Sequence, residues 1–258
     1  ATGAAETINL CLDDDVGELV SCSMTPDGDS LATTMRNRAE ARLWKLGTGA
    51  HVRTLRNSYG VVALSPDAKV VACAARGKVV LYAAATGQQL FVLEHQSFVP
   101  QYLMVVFSPN SKVLMVSRQS AGVLVLWDVE TGSFVRNLEV HDTHWINDVR
   151  FSHDSTRLYS CNEDSVHVSS CETGEHLFDI ECAGPGPRYA RSETLRLALS
   201  RDGGHLATVA RTCCGEHDIQ LWDARSGSLR RTFHRVPVHI RLDDCAAFSP
   251  DARRLVVV

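Results

Sequence analysis

A short phrase ending in Thr-Gly or Ser-Gly returns five times along this chain, and its spacing constrains the fold more than any single residue does. It reads Leu43-Trp44-Lys45-Leu46-Gly47-Thr48-Gly49, then Leu81 to Gly87, Leu126 to Gly132, Val168 to Gly174 and Leu221 to Gly227. A second phrase, of the Ser-Pro-Asp type, runs in step with it: Thr25-Pro26-Asp27, Ser65-Pro66-Asp67, Ser108-Pro109-Asn110, Ser152-His153-Asp154, Ser200-Arg201-Asp202 and Ser249-Pro250-Asp251. The middle residues, at positions 26, 66, 109, 153, 201 and 250, are separated by steps of 40 to 49 residues. Two landmarks keeping phase at that period describe an array of one repeated unit.

The period is that of a propeller blade. Apolar alternation and turn residues divide each unit into four short strands. In the clearest unit these are Ile146 to Phe151, Arg157 to Cys161, Val166 to Ser169 and His176 to Ile180. Gly174 suits the last hairpin because glycine accepts positive φ without steric cost. By this count the chain holds an orphan outer strand at residues 5 to 11, five full units and the first two strands of a sixth. An open sheet of so many strands would leave unprotected edges, whereas blades set around an axis cover one another's faces. The fold class expected is all-β, a β-propeller with five complete four-stranded blades and partial blades at both ends, over residues 1 to 258 as one domain.

These landmarks resemble the WD40 repeat family, whose units carry a Trp-Asp pair at the end of a strand and a Ser-Pro-Asp-Gly-like turn upstream. Trp127-Asp128 and Trp222-Asp223 are faithful copies; Trp44 and Tyr82 occupy the same place in other units. The resemblance implies a structural tetrad of His, Ser, Asp and Trp, to which the fourth unit contributes His141, Ser160 and Asp164, with Ser169 where Trp belongs. Elsewhere the Ser position holds Thr33, Cys73, Val116 and Thr208, so the tetrads are irregular. A Ser-His-Asp set also suggests a hydrolase, but Ser160 lies mid-strand without a nucleophile elbow or oxyanion donors. It reads as scaffolding, and no catalytic residue is assigned.

Both ends match internal parts of a unit: Ala1-Thr2-Gly3 the Thr-Gly turn, and Arg254 to Val258 a second strand. The expectation is a segment of a longer array. In this it resembles the propellers of large multidomain proteins, including those that join a NACHT nucleotide-binding domain to WD repeats, although no Gly-Lys-Ser phosphate-binding motif occurs here.

The net charge of -4 gives no global attraction to nucleic acid or to an anionic membrane. No apolar run is long enough to span a bilayer. Nine cysteines, an odd number without regular spacing, read as reduced thiols of a cytoplasmic protein. His141, His144, His153, His167 and His176 cluster in the fourth unit with Cys161, Cys171 and Cys182. Their positions fall on different strands and turns at opposite ends of the blade, so neither a metal nor a cofactor site is assigned.

The family grips partners with the loops joining one blade to the next, and here those loops carry aromatics. Tyr59, Phe98, Tyr102, His144 and Trp145, with Arg235 from a basic stretch running from Arg230 to Arg241, are the expected contacts for other proteins or peptides, or for other domains of the same chain. Aromatics supply contact area at low entropy cost. The alternatives are a propeller enzyme with a metal or cofactor in its channel, where inner strands offer Asp148, Arg150, Asp243 and Asp244, and a structural spacer.

Overall fold

The computed structural model describes residues 19–35, 38–58, 60–75, 77–95, 103–118, 122–140, 146–162, 164–182, 195–211, 217–236 and 246–257. Sheet 1 contains β1 (Leu19–Met24), β2 (Ser30–Met35), β3 (Glu40–Lys45) and β4 (Ala50–Arg56); sheet 2 contains β5 (Val62–Leu64), β6 (Val70–Ala75), β7 (Lys78–Ala83) and β8 (Gln89–Glu94). Sheet 3 follows with β9 (Leu103–Phe107), β10 (Val113–Arg118), β11 (Val123–Asp128) and β12 (Phe134–Glu139). Sheet 4 has β13 (Asp148–Phe151), β14 (Arg157–Cys161), β15 (Ser165–Ser170) and β16 (His176–Glu181). Sheet 5 has β17 (Leu195–Leu199), β18 (His205–Arg211), β19 (His217–Asp223) and β20 (Leu229–Val236), and β21 (Ala246–Phe248) pairs with β22 (Leu255–Val257) as a sixth, two-stranded sheet.

Every strand bonds its sequence neighbour within its sheet, so each unit is a meander. The all-β class, the five four-stranded sheets and the further two-stranded one match the expectation of five complete blades and a partial one after them. The orphan strand at residues 5 to 11 lies outside the described residues.

The chain packs as two compact units: Ala1–Phe107 with Ser111–Val116 and Trp127–Phe134, and Ser108–Asn110 with Ser117–Leu126 and Val135–Val258. In the first, Ala32, Ala41, Leu43 and Leu55 of sheet 1 form one core with Val62, Leu64, Val71, Val80 and Tyr82 of sheet 2. In the second, Tyr159, Val166, Val168 and Ile180 of sheet 4 pack with Leu197, Leu206 and Trp222 of sheet 5. Blades hold together by burying faces on one another, at about 25 cal/mol per Å² of apolar surface removed from water.

The Ser-Pro-Asp phrase is a self-capping turn. The hydroxyl of Thr25, Ser65, Ser152, Ser200 and Ser249 donates to the carboxylate two residues on, at 2.5 to 2.7 Å. Ser108 does the same to Asn110 at 2.7 Å. The same oxygen accepts the N–H five residues on, as in Ser152 with Arg157 at 2.9 Å. The turn forces positive φ one residue after the acid: Gly28 and Gly203 supply it freely, but Ala68, Ser111, Ser155 and Ala252 occupy it in the other units. Two of these side chains have a use. Ser111 accepts the Asp67 N–H and Ser155 accepts the Asn110 N–H, each at 3.1 Å, linking a turn to the turn of the preceding blade.

Candidate functional site

The Trp-Asp positions build the hairpin between the third and fourth strands. The Asp128 carboxylate accepts the Thr131 N–H at 2.8 Å and its hydroxyl at 2.7 Å. Asp223 likewise accepts the N–H groups of Arg225 and Ser226, both at 3.0 Å. Above each turn the aromatic is buried. The Trp44 indole donates to Thr33 Oγ1 at 2.9 Å and the Trp222 indole to Thr208 Oγ1 at 3.0 Å. Threonine therefore performs the task expected of serine in sheets 1 and 5. Val116, at the matching sequence position in the third unit, carries no hydroxyl, and Tyr82 donates to the Arg56 carbonyl at 3.2 Å.

Ser160 is buried within β14, paired with His167, and Asp164 lies in the following turn, where its carbonyl accepts the Cys182 N–H at 2.9 Å. His141 lies outside the described residues.

A bulge marks the start of the fourth strand in sheets 1, 2, 4 and 5, where the third-strand residue Trp44, Tyr82, Ser169 or Trp222 pairs with His51, Gln89, His176 or Leu229. In sheet 1 the facing pair is an edge contact, Trp44 against His51 with centroids 5.2 Å apart. Sheet 4 has Ser169 instead, and His176 meets His167, its centroid 4.3 Å away. For His167 and His176 this corrects the expectation that the histidines of the fourth unit lie apart; His141 and His144 lie outside the described residues. His167 and His176 both contact Asp179, a residue the sequence reading passed over. The bulge is the reason: strict alternation puts residues 176 and 179 on opposite faces, and one extra residue returns them to the same face.

Of the polar residues expected on inner strands, Asp148 and Arg150 stitch sheet 4 to sheet 5, while Asp243 and Asp244 lie outside the described residues. Asp148 is buried; its Oδ1 accepts the Val149 N–H at 2.8 Å and its Oδ2 the Leu197 N–H at 3.0 Å. Arg150 lies 3.3 Å from the same carboxylate and donates to the Leu197 carbonyl at 3.3 Å, while Arg196 donates to the Asn147 carbonyl at 2.7 Å. Burial pushes the Asp148 carboxyl above its ordinary range, against the pull of Arg150 and the Leu197 N–H. Sheets 1 and 2 use serines for the same purpose: Ser21 and Ser23 accept the N–H groups of Val62 and Leu64 at 3.3 and 2.9 Å. Each is a side chain satisfying backbone at the edge of an inner strand.

The thiols of Cys73, Cys171 and Cys182 are unbridged and pushed up to about 12, chiefly by burial. Arg230, Arg231 and His234 of the basic stretch each have a partner. Arg230 pairs with Asp223, Arg231 lies over the Phe233 ring at 4.6 Å, and His234 faces Asp218 at 3.4 Å. Of the expected partner contacts, Arg235 lies on β20; Tyr59, Phe98, Tyr102, His144 and Trp145 lie outside the described residues.

Residues 132–168, from the Thr-Gly turn of sheet 3 into β15, match the family model described as WD domain, G-beta repeat. Residues 132–168 carry a WD40 repeat. Similar proteins include nuclear distribution protein PAC1 of Arthroderma otae, 34% identical over 136 residues that span 47% of this chain and 29% of that protein. Cilia- and flagella-associated protein 251 of Chlamydomonas reinhardtii is 25% identical over 77% of this chain and 25% of its own length. Target of rapamycin complex subunit wat1 of Schizosaccharomyces pombe is 27% identical over 52% of this chain and 43% of its own. The chain thus spans less than half the length of each of these relatives. Among the described residues no helix is long and apolar enough to cross a membrane.

Proposed function

We propose that this chain is a non-catalytic platform for protein binding, the WD40 scaffold or sensor module of a larger multidomain protein of the cytoplasm. Its partners are other proteins or peptides, or other domains of the same full-length chain. The observation that carries this reading is the use made of the polar side chains that chemistry would need. Asp148, Arg150 and Arg196 are engaged with the backbone between inner strands, and the Ser-Pro-Asp groups with their own turns. The names of two relatives, a complex subunit and an associated protein, point the same way.

The mechanism is rigid presentation. Neighbouring sheets are joined by hydrogen bonds, and a frame of this kind loses less ordering entropy when a partner docks. Tyr59, Phe98, Tyr102, His144, Trp145 and Arg235 are the residues assigned to contact. The test is affinity capture from cells with the full-length protein, wild type against Trp145→Ala and Tyr102→Ala, with folding checked by thermal unfolding. Loss of particular partners from the variants supports the reading. Identical partner lists for all three proteins contradict the assigned contacts, and an absence of partners in all three contradicts the platform.

A further inference from the structure

We propose that His167, His176 and Asp179 form a binding site for a zinc ion on the outer pair of strands of sheet 4. His167 Nδ1 and His176 Nε2 lie 3.0 and 3.1 Å from the same oxygen, Asp179 Oδ1. All three ligand atoms fall within 4.8 Å of one another. Zinc holds imidazole nitrogen and carboxylate oxygen at about 2.0–2.2 Å in a tetrahedron, which sets ligand atoms roughly 3.3 Å apart. The two nitrogen–oxygen spacings already approach that value, so an ion needs only small side-chain rotations to replace the direct hydrogen bonds.

The backbone places these residues, and among the described residues theirs is the set of this kind whose ligand atoms converge. His167 on β15 is paired directly with Asp179 on β16, and the bulge at Val168/Ser169 turns His176 to their side. In sheet 1 the same register holds Arg42, His51 and Thr54, where His51 Nε2 is hydrogen-bonded with the Thr54 hydroxyl at 3.1 Å. In sheet 5 it holds Gln220, Leu229 and Thr232, which include neither imidazole nor carboxylate. Sheet 4 combines two imidazoles with a carboxylate at one register position, a donor set matched to zinc and other late first-row ions. The His176 and Asp179 side chains are each 47% exposed, so an ion can enter from solvent and keep a water as fourth ligand.

This site is independent of the protein-binding surface proposed above, and its test reads metal alone. The full chain, free of any histidine tag and with accessible thiols alkylated, is titrated with zinc against a chromophoric chelator. One ion per chain is expected, bound at least tenfold more weakly by His176→Gln and by Asp179→Asn. Both side chains are half exposed, so both variants are expected to fold. Cobalt substitution of the wild type gives a second readout that needs no variant: a tetrahedral nitrogen–oxygen spectrum without a thiolate charge-transfer band supports the site. Zinc binding unchanged in both variants, zinc binding abolished by alkylation, an octahedral or thiolate cobalt spectrum, or no binding in the wild type would overturn it.

Discussion

Gly132 lies against the ring of Phe91, close enough that a Cβ at this position would overlap the phenyl carbons. The glycine of the Thr-Gly phrase is thus required twice, by a φ of +68° and by the outer strand of the preceding blade. Gly203, also at +68°, has nothing within 4 Å. Gly132→Ala is therefore expected to cost roughly 2–4 kcal/mol, strain plus overpacking, and Gly203→Ala only about 1 kcal/mol. Denaturant unfolding of the two variants measures the difference; equal losses would show that the close approach is unimportant.

The Ser-Pro-Asp turn allows the reverse substitution. Ala68 holds φ at +58° with no hydroxyl to use, whereas Ser155 at +63° accepts the Asn110 N–H. Ala68→Gly is expected to stabilise by roughly 0.5–1 kcal/mol, the relief of left-handed strain exceeding the entropy glycine adds to the unfolded chain. Ser155→Gly gains the same relief and loses a hydrogen bond worth about 1 kcal/mol, so its net effect is close to zero. A shift in Tm for Ala68→Gly and little or none for Ser155→Gly is the expected pair of results.

Asp148 joins two inner strands. Replacing it with Ala leaves the Leu197 N–H without this acceptor and takes a carboxylate away from Arg150, a loss of roughly 3 kcal/mol. Asp148→Asn retains an amide oxygen for the N–H and is expected to lose about half as much. Hydrogen exchange at the Leu197 amide should accelerate in Asp148→Ala and much less in Asp148→Asn.

Acid acts through the turns. Hydrogen bonds from the turn hydroxyls hold the carboxyls of Asp27, Asp154, Asp202 and Asp251 below their ordinary value of 3.8. A carboxylate whose pKa is depressed by folding contributes stability that is present above its unfolded pKa and disappears as pH falls through its folded one. Unfolding free energy is expected to decline below about pH 4, and Asp154→Asn to make that decline shallower. A slope unaltered by the substitution would exclude this turn as a source of it.

The repeat was legible because its landmarks are chemical necessities: a hydroxyl–carboxylate pair closes one turn and Asp with Gly closes the other, wherever the sheet between them drifts. Strand positions in the fourth unit followed from those landmarks to within two residues. The Trp–Thr bonds of sheets 1 and 5 were obscured because Thr33 and Thr208 read as departures from serine, although the hydroxyl is what the indole requires. The meeting of His176 with Asp179 was hidden by the bulge, which ordinary alternation cannot foresee. Comparing the outer strands of sheets 1, 2, 4 and 5, each with one residue more than its partner strand matches at the bulge, is the signal that would have found it.

Cross-linking mass spectrometry of the full-length protein bound to a captured partner distinguishes a loop-presenting platform from other arrangements. Cross-links to the partner are expected to cluster on and beside the segments between blades, around residues 57–61, 95–102, 140–147, 182–194 and 237–245. Cross-links spread instead over the outer strands β4, β8, β12, β16 and β20, with none near those segments, would contradict it.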